Sequence, residues 1–166
     1  MRYKVAPEPA EEDLLFGAHE ALPLVPGSVE DCCTRVRDRT AVPSREDARE
    51  WITFLQALGL VVETDRGFYR VRETPERGVL RENFLKQVFG AREISDTLHT
   101  AGEPLAPRDV FEGIREIVPR WERDREPAWE TEWAGRVATL LAWGVVLGVF
   151  EERDGAYTAS DSTASG

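Results

Sequence analysis

Lysine is almost missing from this chain. Of 21 basic residues only Lys4 and Lys86 are lysine, and the rest are arginine. Cysteine is confined to Cys32 and Cys33, side by side. Adjacent cysteines close a strained ring, which excludes an ordinary structural disulfide, and no C-x-x-C spacing is present to hold a metal. Cys33 falls on one helical face with Val29 and Val36, so it is expected in a core. Histidine is limited to His19 and His99, both inside helical stretches and neither in H-E-x-x-H spacing. There is no Gly-rich phosphate loop and no G-x-S-x-G turn, and no pair of carboxylates stands out from the scattered Asp and Glu. These gaps point to a protein that is not an enzyme and has no metal and no cofactor. Long apolar runs are also missing. The longest, Val137 to Phe150, is interrupted by Gly144 and Gly148 and is too short for a membrane span. With no signal pattern at the start, a soluble, cytoplasmic protein with no membrane partner is expected.

What is present centres on one stretch, Ser44 to Glu73. Ser44 suits a helix N-cap, and Glu46 and Asp47 suit the positive end of the helix dipole. Ala48, Trp51, Ile52, Leu55 and Leu58 recur at three- and four-residue steps, giving one apolar face. Gly59 ends the helix, since glycine enters the left-handed region without penalty. The period then changes to two. Leu60–Glu63 and Phe68–Val71 flank Thr64-Asp65-Arg66-Gly67, a hairpin with a glycine-containing turn. Helix, glycine stop and short hairpin resemble the third helix and wing of a winged helix-turn-helix domain.

The segments before this stretch complete that order. Residues 1–10 carry proline and glutamate and are expected to be flexible. Glu11 to Ala21 predicts a first helix, with Leu14, Leu15 and Ala18 on its apolar side. Pro23 to Gly27 breaks it, and Ser28 caps a second helix, Val29 to Arg39. The first domain is therefore placed at residues 11–73, with a linker of breakers at 74–78. From Val79 to Ala101 the pattern predicts one long helix, bent at Gly90, with Leu80, Phe84, Val88, Ala91, Ile94 and Leu98 along one side.

A weak repeat follows. Pro23-Leu24-Val25-Pro26 matches Pro104-Leu105-Ala106-Pro107, setting Cys33 and Val36 opposite Ile114 and Ile117. Leu58-Gly59-Leu60-Val61 matches Leu147-Gly148-Val149-Phe150, setting Trp51, Ile52 and Phe54 opposite Leu140, Leu141 and Trp143. The second copy inserts Pro119 to Pro127 before its third helix. The expected fold is mainly α with small β-hairpins (α+β): two winged-helix domains in tandem joined through a long helix, the second with that helix at 79–158. A small, polar tail at 159–166 is expected to be disordered. The segments Phe84 to Glu93, Val118 to Arg123 and Trp129-Glu130 resemble proteins of salt-loving archaea built as tandem winged helices. The composition agrees with such a source: the net charge is −10, with arginine in lysine's place.

Net negative charge ordinarily opposes a nucleic-acid partner. In molar salt the Debye length falls to about 3 Å, which weakens that objection. A helix-turn-helix lays its last helix in the major groove, with the wing on phosphates or in the minor groove. The resemblance therefore marks Arg45, Arg49, Thr53 and Gln56, off the apolar face of the third helix, and Arg66 and Arg70 in the wing, as candidates for double-stranded DNA. Glu46, Asp47, Glu50, Glu63 and Asp65 share these elements, so a solvated, salt-bridged face is the competing expectation. The helix from Val79 is longer than one small domain needs, so Leu80, Phe84 and Val88 are expected to pack between the units or across a homodimer axis, and Trp121 and Trp129 are candidates for a partner-protein interface, because large aromatics and arginine supply binding hot spots. Arg120, Arg123 and Arg125 beside Trp121 would also suit stacking on single-stranded bases. DNA-binding transcriptional regulator and winged-helix interaction module without DNA binding thus remain as two readings.

Overall fold

The computed structural model describes residues 6–160. The chain forms two compact units, Met1–Val88 and Phe89–Gly166. The first unit contains α1 (Glu12–Ala21), α2 (Val29–Arg39), α3 (Arg45–Ala57), the hairpin β1 (Val61–Thr64) and β2 (Gly67–Arg70), and α4 (Arg77–Gln87). The second contains α5 (Ala91–Ala101), α6 (Pro107–Ile114), a 3-10 turn (Arg115–Ile117), α7 (Arg120–Arg125), α8 (Trp129–Leu147) and the hairpin β3 (Phe150–Arg153) and β4 (Ala156–Ala159). Helix, helix, helix, wing occurs twice.

Local chemistry sets the ends of these elements. The hydroxyls of Ser28 and Ser44 accept from the N–H groups of Asp31 and Asp47, each at 3.1 Å, satisfying donors that the first turn leaves open. Gly59 (φ 83) and Gly148 (φ 82) take the left-handed conformation just past α3 and α8. One face of each third helix is buried, with Trp51, Ile52 and Phe54 in α3 and Leu140, Leu141 and Trp143 in α8.

The corner after each third helix repeats bond for bond. Leu60 N–H donates to Leu55 O at 2.9 Å, and Val149 N–H donates to Gly144 O at 2.7 Å. Val71 N–H closes on Leu60 O at 3.0 Å, and Ser160 N–H closes on Val149 O at 2.9 Å. The chain before each second helix makes an isolated antiparallel bridge to the returning strand of the wing. Gly27 and Phe68 exchange bonds of 2.9 and 2.8 Å, and Leu105 and Tyr157 exchange bonds of 3.0 and 2.8 Å.

These pairings correct the register of the repeat around the second helices. Gly27 answers to Leu105 and Ser28 to Ala106, so Cys32, Cys33 and Val36 answer to Val110, Phe111 and Ile114, all of them buried. The Pro-Leu-x-Pro match ran three residues out of step. Its physical cause is the start of α6, where Pro107 itself opens the helix and no side chain caps it. Asp109 is already in the first turn rather than at the cap.

The expected long helix is two helices. Val88 is extended (φ −92, ψ 119) and Gly90 is left-handed (φ 98), so α4 ends at Gln87 and α5 starts at Ala91. The apolar residues change phase across the break, with Leu80 and Phe84 buried in α4 and Ala91, Ile94 and Leu98 buried in α5. The division between units therefore falls after Val88 rather than at 74–78. Asn83 fastens α4 to the first unit, its Nδ2 donating to Leu58 O at 2.8 Å, and Arg77 pairs with Glu12. The ends are also better ordered than composition implied. Pro7 is buried, and Pro7 to Ala10 line a cleft with Ala41 to Pro43 and Trp51. Ala159 ends β4 and Ser160 is buried. The remainder of the expected flexible ends, residues 1–5 and 161–166, lies outside the described residues.

The two cores exchange volume at one point. Leu55 and Val61 of the first unit answer to Gly144 and Phe150 of the second. The Phe150 ring lies against α8, and a Cβ at position 144 would stand 2.0 Å from its Cδ2. Gly144→Ala is therefore expected to destabilise the second unit by about 1–3 kcal/mol through overpacking. Four of the five tryptophans (Trp121, Trp129, Trp133, Trp143) lie in that unit, so the urea midpoint of tryptophan fluorescence measures the effect. An unchanged midpoint would mean that the ring has room to move.

His19 on α1 is buried, and its Nε2–H donates to Val71 O at 3.0 Å. Burial holds the imidazole below its ordinary value of 6.5, and the carbonyl bond only partly offsets this. The unfolded chain thus takes up a proton before the folded one as pH falls. The contribution of His19 is constant above about pH 6.5 and declines below it. Denaturant midpoints between pH 7.5 and 5.5 should fall more steeply for the native chain than for His19→Gln. Parallel profiles would mean that His19 does not link folding to pH.

Candidate nucleic-acid interface

The outer face of α3 and the β1–β2 wing hold the six residues marked from the sequence. Arg45, the first residue of α3, is exposed. Its Nε donates to Glu30 Oε2 on α2 at 2.9 Å, and Nη2 bonds the other carboxylate oxygen. That guanidinium holds the Glu30 carboxyl below the usual carboxylate range. Arg49, one turn on, is exposed and stands 5.7 Å from the centroid of Phe68 on β2, a cation–π contact between helix and wing. Thr53 turns inward along the helix, its Oγ1 donating to Arg49 O at 3.1 Å. Gln56 reaches across to the wing, where Nε2 donates to Glu63 Oε1 at 3.3 Å.

Arg66 occupies the wing tip and is exposed. The turn is held by Thr64, whose Oγ1 accepts from Arg66 N–H at 3.1 Å and donates to Gly67 O at 3.2 Å. Gly67 takes φ 128, and a Cβ there would stand 2.1 Å from Gly27 O. Arg70 departs from the expectation. It is half-buried, its Nε donates to Leu22 O at 3.0 Å, and it ties the wing to the end of α1. The structure thus brings Arg45, Arg49, Thr53, Gln56 and Arg66 to one helix face and its wing, and sets Arg70 to an architectural task. The acids share that face, with Glu46 exposed and Glu50 half-buried. Burial and Asp47 raise the Glu50 carboxyl above its ordinary value.

Of the residues marked for an interface, Leu80, Phe84 and Val88 are buried in the single chain, at 2%, 0% and 0% exposure. They are core, and no dimer surface remains at those positions. Trp129 is half-buried between two guanidiniums, Arg115 at 5.5 Å and Arg123 at 5.2 Å from its ring centroid. Arg123 also donates to Val118 O at 3.1 Å and to Arg115 O at 2.8 Å, capping the 3-10 turn. Sequence spacing gave no sign of this fastening. Trp121 is 58% exposed. Trp133 is core, with Phe89 edge-on at 5.6 Å and Arg136 over its ring at 5.7 Å. Burial pulls Arg136 down to about 10, while its Nη2 donates to Phe89 O at 2.6 Å.

Among the described residues no group of three or more His, Cys, Asp or Glu side chains is placed to hold a metal ion, and no helix is long and apolar enough to cross a membrane. Cys32 and Cys33 are both buried and free, and burial pushes the Cys32 thiol up to about 11, away from nucleophilic use.

No curated protein and no solved structure matches the chain. A family of domains does, over nearly the whole length, and its description agrees with the doubled helix–helix–helix–wing order. The chain belongs to the family described as the halobacterial double winged helix domain, matched over residues 1–164.

Proposed function

We propose that the chain binds double-stranded DNA through α3 and the β1–β2 wing of its first unit, and serves as a non-catalytic regulator of transcription. The observation that carries this reading is the placement of Arg45, Arg49 and Arg66, three exposed guanidiniums on the outer face of α3 and the tip of its wing. In a helix-turn-helix those are the parts that meet the major groove and the backbone. The pairing of Arg45 with Glu30 is exposed on both sides. Such pairs contribute little in water, so exchanging the carboxylate for a phosphate costs little. Charge favours the same unit. The first unit holds 13 basic and 16 acidic residues, a net of −3, and the second holds 8 and 15, a net of −7.

Duplex binding measured across a salt series tests the reading. Phosphate contacts give a negative slope of log affinity against log salt. No binding to genomic fragments at any salt where the chain is folded would overturn it. Arg49→Ala is expected to cost about 1–3 kcal/mol and to relax sequence preference. Arg66→Ala should weaken binding to all sequences and reduce the salt slope by about one. Arg123→Ala should act through stability of the second unit and leave the salt slope unchanged.

A further inference from the structure

The corner bonds that repeat between the units also align their third helices residue by residue. Leu55 answers to Gly144 and Leu60 to Val149. On that alignment Arg45, Arg49, Thr53 and Gln56 answer to Ala134, Ala138, Ala142 and Val145. Glu46 and Glu50 answer to Gly135 and Thr139. Each of these six polar residues is replaced on α8 by an uncharged one, and all but Thr139 are apolar, whereas the half-buried Asp47 beside them answers to Arg136. Ala134, Gly135, Ala138 and Val145 are exposed, the last at 37%. From Trp133 to Phe150 the only charged residue is Arg136, and it is spent on Phe89 O and the Trp133 ring.

We propose that the outer face of α8 docks a basic amphipathic helix of a partner protein. Small side chains at Ala134, Ala138 and Ala142 let a second helix approach closely, and Val145 adds apolar area at the end of the strip. No cationic side chain on this face is free to meet a phosphate, and Thr139 is its single polar side chain, so it is not a second DNA-reading surface. The charge around it selects the partner. Glu130, which pairs with Arg115 at 3.4 Å, and Glu132 stand in the first turn of α8, and Glu151, Glu152 and Asp154 outnumber Arg153 on the wing that follows, all exposed. A second copy of the chain would bring these acids against their own counterparts. A helix with an apolar stripe flanked by arginine or lysine meets both the strip and its rim. This inference does not depend on DNA binding by the first unit.

The test titrates the full chain with two synthetic helical peptides that share one leucine–alanine stripe. One is flanked by arginine and lysine, the other by glutamate, and fluorescence anisotropy reports binding. The basic peptide should bind and the acidic one should not. Ala138→Arg, at an exposed position that leaves the core untouched, should weaken binding at least tenfold with an unchanged circular dichroism spectrum. Glu132→Lys should weaken it several-fold at low salt and little in molar salt. Arg45→Ala should have no effect. Failure of the basic peptide to bind, or equal binding by the Ala138→Arg chain, would overturn the proposal. A dimer in sedimentation that Ala138→Arg converts to monomer would assign the face to a second copy and overturn it as well. Loss of duplex affinity in Ala138→Arg would assign it to DNA with the same consequence.

Discussion

The rest of each unit depends on a single corner. A helix ends in a left-handed glycine, and the backbone N–H of the residue after that glycine turns back to a carbonyl inside the helix: Leu60 to Leu55 in the first unit, Val149 to Gly144 in the second. The strand that returns from the wing closes on the same residue, from Val71 or Ser160. Buried backbone groups must find partners, and here the partner fixes the angle between helix and wing. Any side chain on the outer face of the helix then has a defined relation to the hairpin beside it. That is why Arg49 can lie over Phe68 and Gln56 can reach Glu63.

With the corner constant, the units are free to differ elsewhere. In the core, Leu55 with Val61 becomes Gly144 with Phe150, a trade of bulk from helix to strand that keeps the contact filled. At the wing tips the left-handed positions move. Both loops are two residues long, but in the first unit Gly67 carries φ 128 after the turn, whereas in the second Asp154 (φ 54) and Gly155 (φ 82) carry it within the turn, as a type I′ hairpin turn requires. Between the second and third helices the second unit adds a 3-10 turn and α7, clamped by Arg123 and by Trp129 between two guanidiniums. Same frame, different surface is the physical meaning of the repeat.

Much of the frame was legible in the sequence because its signals are local. Ser28, Ser44 and Gly59 mark ends through groups that act within one turn, and the alternation around Asp65-Arg66-Gly67 needs only the hairpin itself. The break between α4 and α5 was harder. Leu80, Phe84 and Val88 continue plausibly into Ala91, Ile94 and Leu98, and only the tertiary setting makes Gly90 a left-handed start rather than a bend. The repeat was visible, but proline spacing misled its register at α6, where Pro107 opens the helix without a cap. At the candidate interface the sequence identified an exposed helix side, whereas side-chain partners lay beyond its reach. Glu30 is on another helix, and Leu22 O, which engages Arg70, is a backbone atom distant in sequence.

The bridge that each wing makes to the chain before its second helix has a bearing on how the small sheets meet other chains. With Gly27 bridged to Phe68 on β2 and Leu105 to Tyr157 on β4, one side of each small sheet is partly covered within its own unit. Among the described residues the other side is β1 or β3, each only four residues long. Glu63 is exposed on the first, and Glu151, Glu152 and Arg153 on the second. Short, charged edges give a neighbouring chain little to pair with. A crowded protein therefore keeps its hairpins from zipping to one another without spending any residue of its core on the task.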